Sequence, residues 1–291
     1  MQTIQNDNFQ VSVKETGAEL CSFKSLKSGK EYIWQAAPEV WAAHAPNLFP
    51  IIGCLKGDSF FYKSKEYKTP KHGFFRKNDD VKLIEQTGNS LTYGLKYNDE
   101  YLKIYPFKFE FRIRFTLNNN ELTLEHIVIN HGDEDMLFSV GGHPGFTCPL
   151  NEDEIYEDYY LEFEKNETAP TWQVTKEGLI ADETLPFFDN NNIINLHPHI
   201  FDNDALVFKN LNSRKVSLKS KKSAQVLTVS FPDFNYLGIW AKPAANFVCI
   251  EPWLGIADSV NSDRNFEHKE ALIRLEPKGT FTAKYFIKVD E

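Results

Sequence analysis

Three short segments hold groups capable of proton transfer in restricted local settings. In Lys71-His72-Gly73-Phe74-Phe75-Arg76, a histidine precedes a glycine and two aromatic residues. Glycine lets the backbone turn sharply or pass close to a ligand, and imidazole titrates nearest neutrality. On this segment alone, a ligand-facing His72 and an ordinary strand-end histidine are equally good readings. In Gly141-Gly142-His143-Pro144-Gly145, residues of special backbone conformation surround His143 on both sides. Such a frame pins the imidazole in one place, which points to function rather than to a turn. In Phe247-Val248-Cys249-Ile250-Glu251-Pro252-Trp253, Glu251 interrupts a continuous apolar run. The run predicts a strand buried on both faces, and a carboxylate there is desolvated, which raises its pKa towards the range useful to a general base. Asp204 in Phe201-Asp202-Asn203-Asp204-Ala205 is a weaker candidate that reads equally as a turn aspartate. His197 and His199 have the spacing of a metal pair, but beside Pro198 in a loop this is read as incidental, and no metal site is expected.

The elements that position these groups are strands. Phe, Tyr and Trp make up 14% of the 291 residues, a bias that suits pleated, half-buried surfaces. From Phe107 to Leu117 apolar and polar residues alternate without a break, predicting a strand with one solvated face. Asn118 to Asn120 form a turn, and residues 121–130 return as the second arm of an antiparallel hairpin. The segment from Thr280 to Val289 alternates likewise, and shorter versions begin at Asn8, Lys215 and Gln225. No helix-period face stands out. Many short strands between Asn, Gly, Asp and Pro clusters predict an all-β sandwich. The acidic stretch from Asn151 to Asp158 and the Pro- and Asn-rich stretch from Thr184 to Asp204 are read as surface excursions of one domain covering residues 1–291.

Taken in order, Ala45-Pro46-Asn47-Leu48-Phe49-Pro50, the His72 segment, the His143 segment, Asp204-Ala205-Leu206-Val207-Phe208 and the Glu251 segment resemble the aldose 1-epimerase (galactose mutarotase-like) family, in its LacX-like branch. The resemblance covers nearly the whole chain. It implies a galactose mutarotase-like β-supersandwich of curved antiparallel sheets with a sugar-binding groove, and cofactor-free interconversion of the α and β anomers of a free aldose. By the same resemblance Glu251 is the general base, His143 the general acid, His72 a second histidine near the ring oxygen, and Asp204 a ligand of sugar hydroxyls. Relatives commonly carry arginine where this chain has Cys54, so Lys56 is expected to supply a cation in its place, and no phosphate grip is expected. An aldopyranose presents an apolar C–H face. Trp240 and Trp253 are the expected aromatic wall, with Trp240 preferred because it falls on the preceding strand.

Composition bounds the alternatives. The balance of 41 acidic against 32 basic residues gives a net charge of -9, which repels phosphate backbones and anionic lipid surfaces. A small-molecule sugar is the expected partner, with no nucleic acid, no membrane and at most a weak homodimer. Four dispersed cysteines without a C-x-x-C pair, and an N-terminus lacking a basic-then-apolar pattern, predict free thiols in a cytoplasmic setting. Three readings compete with the epimerase: a carbohydrate-binding protein without turnover, a hexose-6-phosphate 1-epimerase, and a cupin-like metal enzyme built on His72, His143 and Glu251.

Overall fold

A computed structural model describes residues 1–291, and antiparallel strands dominate it. The hairpin forms where alternation places it: Phe109–Asn118 pairs with Glu121–Asn130, with Asn119 in the left-handed conformation at the turn. Phe109, Phe111, Ile113, Phe115 and Leu117 are buried, and the residues between them are partly exposed. Thr280–Asp290 lies against the other side of Glu121–Asn130. Across the resulting nine-stranded sheet the order is Asn191–Asn195, Tyr159–Glu167, Lys215–Ser220, Val226–Ser230, Thr280–Asp290, Glu121–Asn130, Phe109–Asn118, Ser90–Lys96 and Lys82–Gln86.

A second large sheet runs Ile180–Leu185, Thr171–Val174, Leu206–Phe208, Tyr236–Trp240, Phe247–Leu254, Val140–Gly142 and Asn47–Leu48. Gly145–Thr147 adds a further pairing to Phe247–Leu254. The two sheets face each other over an aromatic core. Phe111 stacks on Phe49 at 4.6 Å between ring centroids, and the Tyr285 phenol lies where a side chain on Gly142 would be. Phe247–Leu254 is buried on both faces through Trp253, as its unbroken apolar run predicts. The only α-helix is the short Asp99–Ile104, capped by Asn98, whose side chain accepts from the Glu100 and Tyr101 amides.

One expected excursion proves to be partly structural. Within the stretch from Thr184 to Asp204, Asn191–Asn195 is an edge strand of the nine-stranded sheet, paired with Tyr159–Glu167. Its polar residues belong to an edge, where one side has no strand neighbour and charged or polar groups discourage further pairing. Ile194 is its only buried residue, too little apolar surface to stand out in sequence.

Candidate active site

The second sheet sets the site through its register. Gly238 lies opposite both Glu251 and Val207, and Trp172 lies opposite Val207, so one row crosses four strands on a single face. Trp240 and Trp253 share that face with Glu251 because side chains two residues apart point the same way. Gly238 is required by packing rather than by its dihedrals. A Cβ there would come within 2.4 Å of the Trp253 ring, which occupies the space over Gly238 beside Glu251. Val207, Trp240, Glu251 and Trp253 line a cavity of about 260 Å³ together with Trp41, Lys71, His72, Arg76, His143 and Asp204.

His143 arrives on the turn that follows Val140–Gly142. Its backbone N–H donates to the Pro46 carbonyl (3.0 Å), and the Pro144 carbonyl accepts from the Ile250 N–H (3.2 Å), tying the turn to both neighbouring segments. The Trp41 ring stacks on the imidazole at 5.1 Å and 26°, and Trp240 meets it edge-on at 6.0 Å. His143 Nε2 stands 3.2 Å from Glu251 Oε2, off the line of a formed hydrogen bond. Glu251 is 1% exposed, and Oε2 has no hydrogen-bond partner.

His72 is held by its own backbone. It adopts a left-handed conformation (φ 63°), its N–H donates to the Gly53 carbonyl (2.9 Å), and its Nδ1 accepts from the Gly53 N–H (3.1 Å). That acceptor role leaves the proton on Nε2, which the ring can offer as a donor. Gly73 is needed for a second reason besides its φ of 74°: a Cβ would stand 2.0 Å from the Phe49 carbonyl oxygen. The His72 and His143 rings lie 5.7 Å apart and nearly perpendicular.

Burial pushes both histidines towards neutrality. The His143 pKa falls to about 3, chiefly by desolvation, with Arg76 and Lys71 adding repulsion. The His72 pKa is held well below its ordinary value by desolvation and then by His143, Lys71 and Arg76. Glu251 moves the other way, well above the usual carboxylate range, because burial disfavours its anion and Asp204 repels it. The Lys71 cation opposes that rise. Both shifts favour the uncharged forms, a protonated Glu251 carboxyl beside a neutral His143 imidazole.

Six of the seven residues singled out in the sequence line the cavity, and Lys56 does not. Its Nζ donates to the carbonyls of Val260 (2.7 Å) and Ser262 (3.1 Å), so it fastens a loop and leaves no cation for the groove. Arg76 and Lys71 supply the positive charge instead. Both sit in the same segment as His72, whose left-handed turn carries them to the cavity. Trp41 carried no signal of its own beyond lying just ahead of the Ala45–Pro50 segment. Val174, Gly178 and Ile180 reach the cavity from two strands, Thr171–Val174 and Ile180–Leu185, and the turn between them, and no local pattern marks them.

This fold and its groove define a class, and comparison with known proteins agrees on the family and the fold. The aldose 1-epimerase family model matches residues 1–284. The chain belongs to the aldose 1-epimerase family. It is 36% identical to the plasmid-borne LacX protein of Lactococcus lactis subsp. lactis, covering 98% of each chain. A galactose mutarotase related enzyme from Lactobacillus acidophilus superimposes with a TM-score of 0.92 at 38% identity, over 100% of this chain and 97% of that one. A galactose mutarotase-like protein from Lactobacillus casei gives 0.91 at 25% identity, over the full length of both. The supersandwich expected from sequence is the fold observed. No helix is long and apolar enough to cross a membrane.

Proposed function

We propose that the protein is an aldose 1-epimerase that interconverts the α and β anomers of an aldose, with Glu251 and His143 as the proton-transfer pair. The observation that carries this reading is the 3.2 Å contact between His143 Nε2 and Glu251 Oε2 at the wall of a monosaccharide-scale cavity. Transfer of the Glu251 carboxyl proton to the His143 imidazole creates a carboxylate and an imidazolium together. The carboxylate takes the proton of the C1 hydroxyl while the imidazolium protonates the ring oxygen, and the C1–O5 bond breaks to leave the open aldehyde. The pair then holds its proton on Glu251 again, the neutral arrangement that burial favours. Rotation about C1–C2 and reversal of the same transfers close the other anomer. His72 Nε2–H donates to sugar oxygen, Asp204 receives hydroxyls at the rim, and the Trp240 and Trp253 rings cover the C–H face. No cofactor enters these steps.

A second reading of the substrate follows from the cations. Arg76 and Lys71 line the cavity, and neither is in a salt bridge or a side-chain hydrogen bond, whereas Lys56 is fully engaged. An anionic substituent on the aldose, such as a 6-phosphate, would give them a partner. The test for both readings is anomer exchange followed by NMR, and polarimetry, on free hexoses and their 6-phosphates. Acceleration over the buffer rate supports the epimerase, and the ratio of kcat/KM values between the two sets decides the substrate. Sugar binding without acceleration of any aldose would leave a carbohydrate-binding protein.

A further inference from the structure

We propose that the wall of the groove is a soft-metal site in which the Cys249 thiolate joins His143 and Glu251 to hold a Zn²⁺-type ion, blocking the proton-transfer pair. One donor atom from each of the three lies within 4.8 Å of the others. Cys249 and Glu251 stand two residues apart on one strand and therefore share a face, and His143 approaches both from the adjoining turn. A contraction of about 1 Å brings such a set to tetrahedral zinc distances, about 2.3 Å for sulfur and 2.0–2.2 Å for nitrogen and oxygen.

Glu251 supplies an independent indication of a missing partner. It is 1% exposed, faces the cavity, and its Oε2 accepts no hydrogen bond. The groove also selects among cations. Lys71 and Arg76 repel any positive ion, so hard ions bound by charge alone, such as Mg²⁺ and Ca²⁺, are disfavoured. Zn²⁺ and Co²⁺ gain from thiolate and imidazole donation, which that repulsion does not remove. Binding requires release of the Cys249 thiol proton and the Glu251 carboxyl proton, so the metal stands between the acid and the base.

The test is titration of untagged protein with Co²⁺, read by absorption, with Zn²⁺ as competitor. We expect a thiolate-to-cobalt charge-transfer band that Zn²⁺ removes and that Mg²⁺ and Ca²⁺ leave untouched. The band should persist in Cys54→Ser and vanish in Cys249→Ser, with at least a ten-fold loss of Co²⁺ affinity. Cys249→Ala serves if the serine variant is poorly folded. Absence of the band in the natural protein, its survival without Cys249, or its loss in Cys54→Ser would each overturn the site. Where anomerase activity is present, Zn²⁺ should suppress it in the natural protein at concentrations that leave Cys249→Ser active. Since the cobalt spectrum needs no turnover, it separates failure of this site from failure of the epimerase reading with which it shares two residues.

Discussion

Glu251 combines two properties that a single substitution separates. As a base it needs its charge, yet burial opposes that charge. Glu251→Gln keeps the shape and removes the titration, so anomerisation should fall by about 10²- to 10⁴-fold while sugar affinity changes little. Stability should move in the opposite direction. A carboxyl whose folded pKa is raised contributes fully below its unfolded value, and that contribution is lost as pH rises through the folded value. The glutamine variant should therefore melt higher than the natural protein under alkaline conditions, with the gap closing towards acid pH, as scanning calorimetry would show. A natural protein equal to the variant at alkaline pH would mean the carboxyl is better solvated than its surroundings indicate. His72 has a different task. Its proton is fixed on Nε2 by the Gly53 N–H, so His72→Asn should raise KM at least as much as it lowers kcat, whereas His143→Asn should act mainly on kcat.

At the scale of elements, the loop that closes the cavity depends on one buried ion pair. Lys269 and Asp258 have side chains only 3% exposed, with Nζ 2.8 Å from Oδ1. Lys269 also donates to the Ile256 carbonyl (2.7 Å). Asp258 Oδ2 accepts from the Lys56 N–H (3.0 Å) and from the Ser262 hydroxyl (3.2 Å). Ile256 and Ala257, which line the cavity, are thereby fastened to the Gly53–Lys56 loop that holds His72. Removing one partner of a buried pair leaves the other charge uncompensated, at a cost of about 3–5 kcal/mol. Lys269→Met should lose stability of that order in urea unfolding and weaken sugar binding as well, although it touches no sugar. A loss below about 1 kcal/mol would show that water reaches Asp258. Nothing in the sequence around Asp258 announces the pair, because its partner lies eleven residues away.

Over the whole molecule, acid sensitivity should come from histidines buried neutral. His143 and His126 have pKa values lowered by burial to about 3, and His72 is lowered well below its ordinary value. Groups of this kind stabilise the fold above their unfolded pKa of about 6.5, and the contribution is lost as pH falls towards the folded value, at about 1.36 kcal/mol per unit for each group. Unfolding free energy should decline steeply below about pH 6. His126 isolates the effect. It is fully buried, packs among Phe111, Phe234 and Tyr285, and has no hydrogen-bond partner at either nitrogen. His126→Phe should flatten the acid limb and raise stability at neutral pH by about 1–3 kcal/mol; an unchanged pH profile would assign the acid limb to the other two histidines. The sequence alone determined what depends on local period and residue type. The alternation of residues 107–117 set a strand and its hairpin, the unbroken apolar run placed Glu251 on a buried strand, and the order of motifs identified the family. Tertiary structure decided the charge of the groove. Lys56 has a flexible stem, and only the carbonyls of Val260 and Ser262, brought beside it by folding, take its ammonium away from the sugar. Trp41 and Arg76 became part of the site for the same reason, since side chains meet across strands through register and turn geometry, which no local sequence pattern encodes.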